Sequence, residues 1–407
     1  MKKIIFIILA LSLCYGLFGN FYFFPENPAN IADRYHSQIC LPLLTNQFNF
    51  ENSALQLDDI NMFQEGYILD SKDKKKLTEN DIEIYSNFKI HLLDFGHRNW
   101  NFSLQTLAFA NVEVLDKMYC DLVFNGNDTN IAYSSHTGEG SEAFSFWKAT
   151  FNYAYPKGLS MGMIPGLFPA DSTSAFVEYL RDMTLYAGFN VNFNYSMMYG
   201  TIIESEQNFG SMPDSAYYNY TAHLQYSDEY SVGRLTPSLG FGMKARIFEG
   251  YLHASIDDLF MQLNYKNLGA GKYEKMVVDS LFYFDPDNEP FEIENFEEES
   301  RVKNKYVKIK PSVSVGMEYT LFRKLQIMAK YINEQYSYKN GFSFGTGYQL
   351  ACVPMQAVMG YDENIFYEFN TGLIFKGFEW KMGATFYHGF FRYGKGIGLD
   401  SAFVFKF

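Results

Sequence analysis

Seven histidines, at positions 36, 91, 97, 136, 223, 253 and 388, are the side chains best suited to proton transfer or metal ligation near neutral pH. None falls into an HxxxH or HExxH spacing, so the sequence encodes no helical zinc site. Ser135 beside His136, and His253 ahead of Asp257, place a nucleophile or a carboxylate near a base. A catalytic set also needs a geometry that spacing does not supply, and no catalytic residue is assigned. The run Asp285–Glu299 is the most acidic stretch, but Pro290 stands where a helix–loop–helix calcium loop needs glycine. It reads as a solvated loop. Neither a metal site nor a cofactor follows from these residues. Cys14, Cys40, Cys120 and Cys352 are too scattered for a disulfide framework or a CxxC site. A net charge of −13 argues against nucleic acid as a partner.

The elements that must position these residues are strands. Aromatic residues make up 19% of the 407, with 41 Phe and 32 Tyr against 3 Trp, more than a soluble core needs. A membrane barrel uses such residues for a lipid-facing band and two interfacial girdles. Mean hydropathy is −0.18, too polar for a bundle of membrane helices. The one long apolar run, Ile4–Leu13, is about half of a helical span. Following Lys2 and Lys3, it has the form of a secretory signal peptide, with Cys14 and Gly16 as the small residues before a cut after Gly16, or next after Gly19. Leu13 is too large for the usual lipoprotein box ahead of Cys14.

Period-two alternation marks the mature chain. Ala187, Phe189, Val191, Phe193, Tyr195 and Met197 oppose Gly188, Asn190, Asn192, Asn194 and Ser196. Val313, Val315, Met317 and Tyr319 oppose Ser312, Ser314, Gly316 and Glu318, and similar patterns cover 147–155 and 342–350. Segments this long match tilted strands crossing a bilayer. Short turns near 96–97, 156–158, 249–250, 321–323 and 376–377 alternate with long loops near 51–81, 111–141, 169–182 and 266–304. The pattern predicts an all-β transmembrane antiparallel barrel of about 16 strands, or 14 if 200–228 is wrongly divided. It also predicts loop helices over 71–80, capped by Ser71, and over 112–123. The chain ends on alternating aromatics, Phe403, Phe405 and Phe407. This ending resembles the closing strand of bacterial outer-membrane barrels, which implies that these residues are read by the barrel-assembly machinery and that the last strand zips to the first.

Shortly after the signal stands Asn27-Pro28-Ala29. With 121–127, 250–259 and 311–319 it resembles segments of an outer-membrane family of unknown function, related to the long-chain fatty-acid transporter superfamily and to the shuttle proteins of type IX secretion. The resemblance implies a signal peptide over 1–16, a lumen-inserted segment over 17–35 and a barrel over 36–407 in the outer membrane of a Gram-negative-type bacterium. Outer-membrane lipid and a small hydrophobic ligand are the implied partners. It implies passive passage of small hydrophobic molecules or, alternatively, a structural or secretion-partner role without transport. In the transporters a strand kink opens a lateral hole, and Pro165 and Gly166 are the candidates for that kink here. A fatty-acid tunnel calls for an apolar pocket, whereas the inward positions Asn190, Asn192, Asn194, Glu368, Asn370 and Lys381 predict a polar lumen.

Overall fold

The structure, a computed structural model, describes residues 27–32, 36–42, 44–63, 69–125, 131–163, 174–212, 215–280, 291–321, 325–335, 339–362 and 364–407. In chain order the strands begin with β1 (Ser37–Cys40), β2 (Asn46–Asn52), β3 (Ile82–His97), β4 (Trp100–Leu115), β5 (Ala132–Ser135), β6 (Glu142–Ala154) and β7 (Leu159–Ser160). Next come β8 (Thr184–Met212), β9 (Ser215–Tyr226), β10 (Val232–Gly233), β11 (Leu235–Ile247), β12 (Gly250–Leu259), β13 (Gln262–Ser280), β14 (Phe291–Glu298) and β15 (Val302–Lys308). The chain finishes with β16 (Ser312–Leu321), β17 (Leu325–Asn333), β18 (Gly341–Leu350), β19 (Val353–Asp362), β20 (Asn364–Phe375), β21 (Phe378–Tyr387) and β22 (Gly396–Lys406).

Fourteen antiparallel staves close into a barrel. β1 and β2 share the first stave, β3, β4, β6, β8, β11 and β12 follow, and β16 to β22 complete the wall. The ring shuts where Ile39 faces Phe405 and Phe48 faces Leu399. Closure pairs every wall strand on both sides, the one way for strands to satisfy their backbone groups in lipid. Alternation then sorts the side chains. On β16, Val313, Val315, Met317 and Tyr319 are exposed on the outside, whereas Ser314 is buried on the inside. Such an outward apolar band has no aqueous rationale and matches a lipid-facing wall.

One end of the barrel carries tight hairpins. Arg98, Phe248 and Ala351 take φ of 49°, 47° and 55° between β3 and β4, β11 and β12, and β18 and β19, as two-residue turns matched to strand twist require. The connection over 155–183 belongs to this same end, because Ala154 faces Gly188 across the β6–β8 ladder. The expected long loop at 169–182 is therefore part of one excursion that also contains 156–158. Within it lies α3 (Ala175–Asp182), counted third after α1 (Ser71–Glu79) and α2 (Lys117–Asn125). Asp70, not Ser71, caps α1 by accepting from the N–H groups of Lys72 and Asp73. The second helix starts later than its periodicity predicts because β4 continues to Leu115 and takes Val112 and Leu115 into the sheet. Leu55, Leu77, Ile82 and Cys120 pack the two helices together at the long-connection end.

The count is fourteen, the lower of the two expected, for a physical reason. β8 runs 29 residues, far longer than a membrane crossing, and its upper part pairs with β9 outside the wall. Beyond residue 202, β8 thus leaves the wall and pairs with β9 past the rim. The stretch 266–304, expected as a loop, supplies β13, β14 and β15. Beyond the rim the order β5, β8, β9, β13, β14 forms a protruding sheet.

Candidate functional site

Wall register sets the character of the lumen. From the hairpin end of β4, the inward side chains are Asn101, Ser103, Gln105, Leu107 and Phe109, and β6 matches them with Asn152, Thr150, Lys148, Phe146 and Phe144. Polarity therefore gives way to apolar surface toward the long-connection end. There Phe144, Phe146 and Tyr199 are buried against Met261, Leu263, Tyr265 and Leu268 from the start of β13 and against Val307 and Ile309 beside it. The paired β13 and β15 supply one side of this cluster. A slip in the ladder between Ser145 and Phe146 turns Met198 outward in place of the expected Met197 and lets Tyr199 point in.

Below this cluster lies a cavity of about 270 Å³. Its wall carries a polar belt. Lys148 Nζ lies 3.2 Å from Asp257 Oδ2 and 2.8 Å from Asp258 Oδ1, and Asn192 donates to both carboxylates at 3.1 and 3.2 Å. Adjacent residues of a regular strand face opposite ways, yet both aspartates reach one lysine. The left-handed conformation of Asp258, with φ 56°, brings this about. Across the cavity Lys339 Nζ lies 3.2 Å from Glu368 and 3.1 Å from Asp400. Asn370 donates to Glu368 and to Gln356 at 2.7 Å each. Nearer the hairpin end Glu379 holds Lys381 at 3.5 Å and also pairs with Lys406. Charges this buried persist only when paired and hydrogen-bonded, as these are.

The Asn27-Pro28-Ala29 segment lies on the inner face near the hairpin end. Asn27 donates from Nδ2 to the carbonyls of Met243 and Ala254 at 2.9 and 3.1 Å, and its Oδ1 accepts from Ala29 N–H at 2.9 Å. Pro28–Ile31 makes a single tight turn, and Ile31 packs on Ala154 and Tyr186. Glycine at 188 is what admits it, since a Cβ there would stand 2.5 Å from the Pro28 carbonyl carbon.

Phe403, Phe405 and Phe407 lie along the seam where the chain closes. Phe403 stacks on Trp380 at 5.5 Å, Phe405 meets Phe378 at 5.4 Å, and the Phe407 backbone exchanges two 3.0 Å hydrogen bonds with Ser37. Pro165 and Gly166 lie outside the described residues. Before them come only the two-residue β7 and a tight turn over Met161–Met163, so their approach is not a continuous wall strand.

The imagined catalytic pairs do not assemble. His136 Nδ1 lies 2.7 Å from the Ser205 carbonyl oxygen, while the Ser135 hydroxyl bonds Thr137. His253 and Asp257 sit four residues apart on one strand, roughly 13 Å by strand rise. The described part of the acidic run, from Phe291, forms β14, where Glu292 reaches Lys275. Three other carboxylates, Asp81, Glu113 and Asp116, converge within 4.8 Å among the long connections. Each already caps a loop: Asp81 accepts from Lys117 N–H, Glu113 from Gly138 N–H, and Asp116 from Met118 N–H and the Thr137 hydroxyl.

The sequence reading placed Asn190, Asn192, Asn194, Glu368, Asn370 and Lys381 inward. Lys148 and Asp400 also fall on the polar faces of their strands, but nothing in the sequence singles out Asp258 or Lys339 or joins these charges into groups, because only a closed ring brings charges from distant strands together. The apolar cluster had a signal in Phe144 and Phe146 at inward parity, opposite to Trp147.

No protein-family model and no curated protein matches the sequence. Among solved structures, the chain is similar to the P. putida toluene transporter TodX, at 10% identity and TM-score 0.44, covering 96% of this chain and 95% of that one. It is similar also to the Ralstonia pickettii toluene transporter TbuX, at 8% identity and TM-score 0.43, covering 94% and 92%. A Pseudomonas aeruginosa FadL homologue is similar at 10% identity and TM-score 0.36, covering 94% and 91%. At these values the likeness says nothing of cargo.

Proposed function

We propose that the chain is an outer-membrane barrel of a Gram-negative-type bacterium that passes small, largely apolar molecules down their gradient, with its long connections outside and its hairpins in the periplasm. The observation that carries this reading is the apolar surface of the upper lumen. Leu107 and Phe109 line the lumen cavity and also pack on the cluster of Phe144, Phe146 and Met261. A cargo moving about 150 Å² of apolar surface from water onto the Leu107 and Phe109 side of the lumen gains roughly 4 kcal/mol at ~25 cal/mol per Å². The polar belt below disfavours a straight descent of the same molecule and supports a sideways exit through the wall. Among the described residues one wall stave is split, between β1 and β2, where Pro42 and Leu44 are exposed and Thr45 is buried.

The test is uptake of aromatic hydrocarbons and long-chain fatty acids by a host lacking its own transporter. Wild type should support uptake, and Phe109→Asp combined with Phe146→Asp should reduce it several-fold with the barrel still folded. Absence of uptake of every hydrophobic compound by wild type would transfer support to the alternative, a secretion-partner or structural barrel. The protruding sheet of β5, β8, β9, β13 and β14 is what favours that alternative, since passage has no need of it.

A further inference from the structure

The sheet that protrudes beyond the rim ends on one side in β14, which pairs with β13 alone among the described residues. From Glu292 to Glu298 every side chain of this strand is exposed. The Glu299 N–H donates to the Ala270 carbonyl at 2.8 Å, and the register continues with Glu297 opposite Lys272, Asn295 opposite Glu274 and Ile293 opposite Met276. Antiparallel ladders alternate, so these odd-numbered residues direct their backbone groups to β13. The N–H and C=O groups of Glu292, Glu294, Phe296 and Glu298 consequently point the other way, into the space beside the sheet. Their side chains share one face. The strand carries four glutamates and no basic residue. Lys275 of β13 meets the charge of Glu292, and among the described residues no cation pairs with Glu294, Glu297 or Glu298. The Phe296 ring does not screen the edge, because it leans back over β13: a Cβ at Gly271 would stand 2.4 Å from its Cζ, and the Tyr226 ring lies 6.0 Å away on β9.

We propose that β14 is a docking edge for an extended basic segment of another protein, which adds to the protruding sheet as a further antiparallel strand. Four alternate residues offer backbone donors and acceptors in a row, the arrangement that strand addition uses. Side-chain charge then chooses the occupant. Acidic edges repel one another, so a second copy of β14 is disfavoured, as on edges that proteins protect from self-pairing. A strand with Lys or Arg at every second position instead sets its cations opposite Glu292, Glu294 and Glu298. The edge lies outside the ring, so this docking stands or falls independently of what the lumen passes.

The probe is a fluorescent peptide, Lys-Thr-Lys-Thr-Lys-Thr-Lys, titrated with the full-length barrel in a non-ionic detergent at near-physiological salt and followed by anisotropy. It should bind about tenfold or more tightly than the same peptide with Glu in place of Lys. N-methylation of the Lys backbone nitrogens removes the donors that face β14 and should weaken binding about tenfold, whereas N-methylation at Thr, whose nitrogens face away, should leave it unaltered. On the barrel, Phe296→Pro deletes an outward N–H without removing a hydrogen bond to β13, and it should weaken binding about tenfold. Phe296→Ala keeps that N–H and should not. A damaged sheet cannot reverse a preference, so the second variant is Glu294→Lys with Glu298→Lys, which should bind the Glu peptide in place of the Lys peptide. Equal binding of the two peptides, or binding of neither, would overturn the proposal. Equal losses from the two methylations, or an unaltered affinity in Phe296→Pro, would overturn it as well, marking attraction by charge alone. Self-association of the barrel that Phe296→Pro abolishes would make the occupant a second copy and would also overturn it.

Discussion

A single amide ties the N-terminal turn to the barrel. Asn27 donates to two carbonyls that face one another across the β11–β12 ladder, those of Met243 and Ala254. Asn27→Ala removes both hydrogen bonds and should lower the unfolding midpoint by the equivalent of about 1–3 kcal/mol. It should also speed proteolysis ahead of β1. Gly188→Val should have the same effect by a different route, since its side chain would occupy the space of the Pro28–Ala29 peptide. Unchanged proteolysis and midpoint in both variants would show that the turn does not depend on this seat. At the other end, burial, with help from the nearby Asp116 and Asp81 carboxylates, pushes the Cys120 thiol from an ordinary 9.0 up to about 11. A thiol whose folded pKa is raised stabilises fully below the unfolded value, and that contribution is lost as pH rises from about 9 toward 11. Alkylation of Cys120 should therefore be slow at pH values well below 9 and quicken only when the helix pair opens. Rapid labelling of the native protein, measured by mass spectrometry of the Cys120 peptide, would contradict the burial of this helix pair.

The terminal strand is the element on which closure depends. Lys406 and Phe407 are held by the backbone of Gly377 and Ser37, and Phe405 packs on Phe378 across the outer face. Unless this strand docks, β1 and β21 each keep an open edge, with backbone groups that lipid cannot satisfy. Phe405→Ser with Phe407→Ser should therefore leave export intact and impair insertion, read as a fall in outer-membrane level with accumulation in the periplasm. Normal levels of the double variant would show that the aromatics are not needed for assembly. A role for the barrel-assembly machinery in reading them is part of the same proposal. The split between β1 and β2 is a second feature of this seam: the first stave uses six steps from Cys40 to Asn46 where β22 uses three from Val404 to Ser401. The surplus residues cannot stay in a flat ladder, so the wall must bulge there.

At the scale of the whole molecule, a closed ladder of fourteen staves has no strand end at which denaturant can begin to peel the sheet. The folded protein should stay compact in SDS at room temperature and change its gel mobility only after boiling. Identical mobility with and without boiling would remove the membrane-barrel reading. The protruding sheet is not part of that ring. Its removal should preserve the heat-dependent shift, since β8 completes its wall pairings with β6 and β11 below residue 202.

The sequence determined on its own what depends on local parity. Alternation at 187–196 and 312–320 assigned an outer apolar and an inner polar face. Loop composition marked two helices, and the beginning of α2 was misplaced only because sheet pairing at Leu115 outcompeted helical periodicity. The tertiary structure decided what depends on where strands stop belonging to the wall. The same period-two pattern serves a strand in lipid and a strand beyond the rim, so alternation alone did not fix where β8 leaves the barrel or that all of β9 lies outside it. The site was equally hidden. Lys148 and Asp257 are 109 positions apart, Lys339 and Asp400 are 61 apart, and each pair meets only because closing the ring fixes which staves share an inner surface. The left-handed turn at Asp258, which aims two successive carboxylates at one lysine, is a backbone choice stabilised by that closure, and no residue type there announces it.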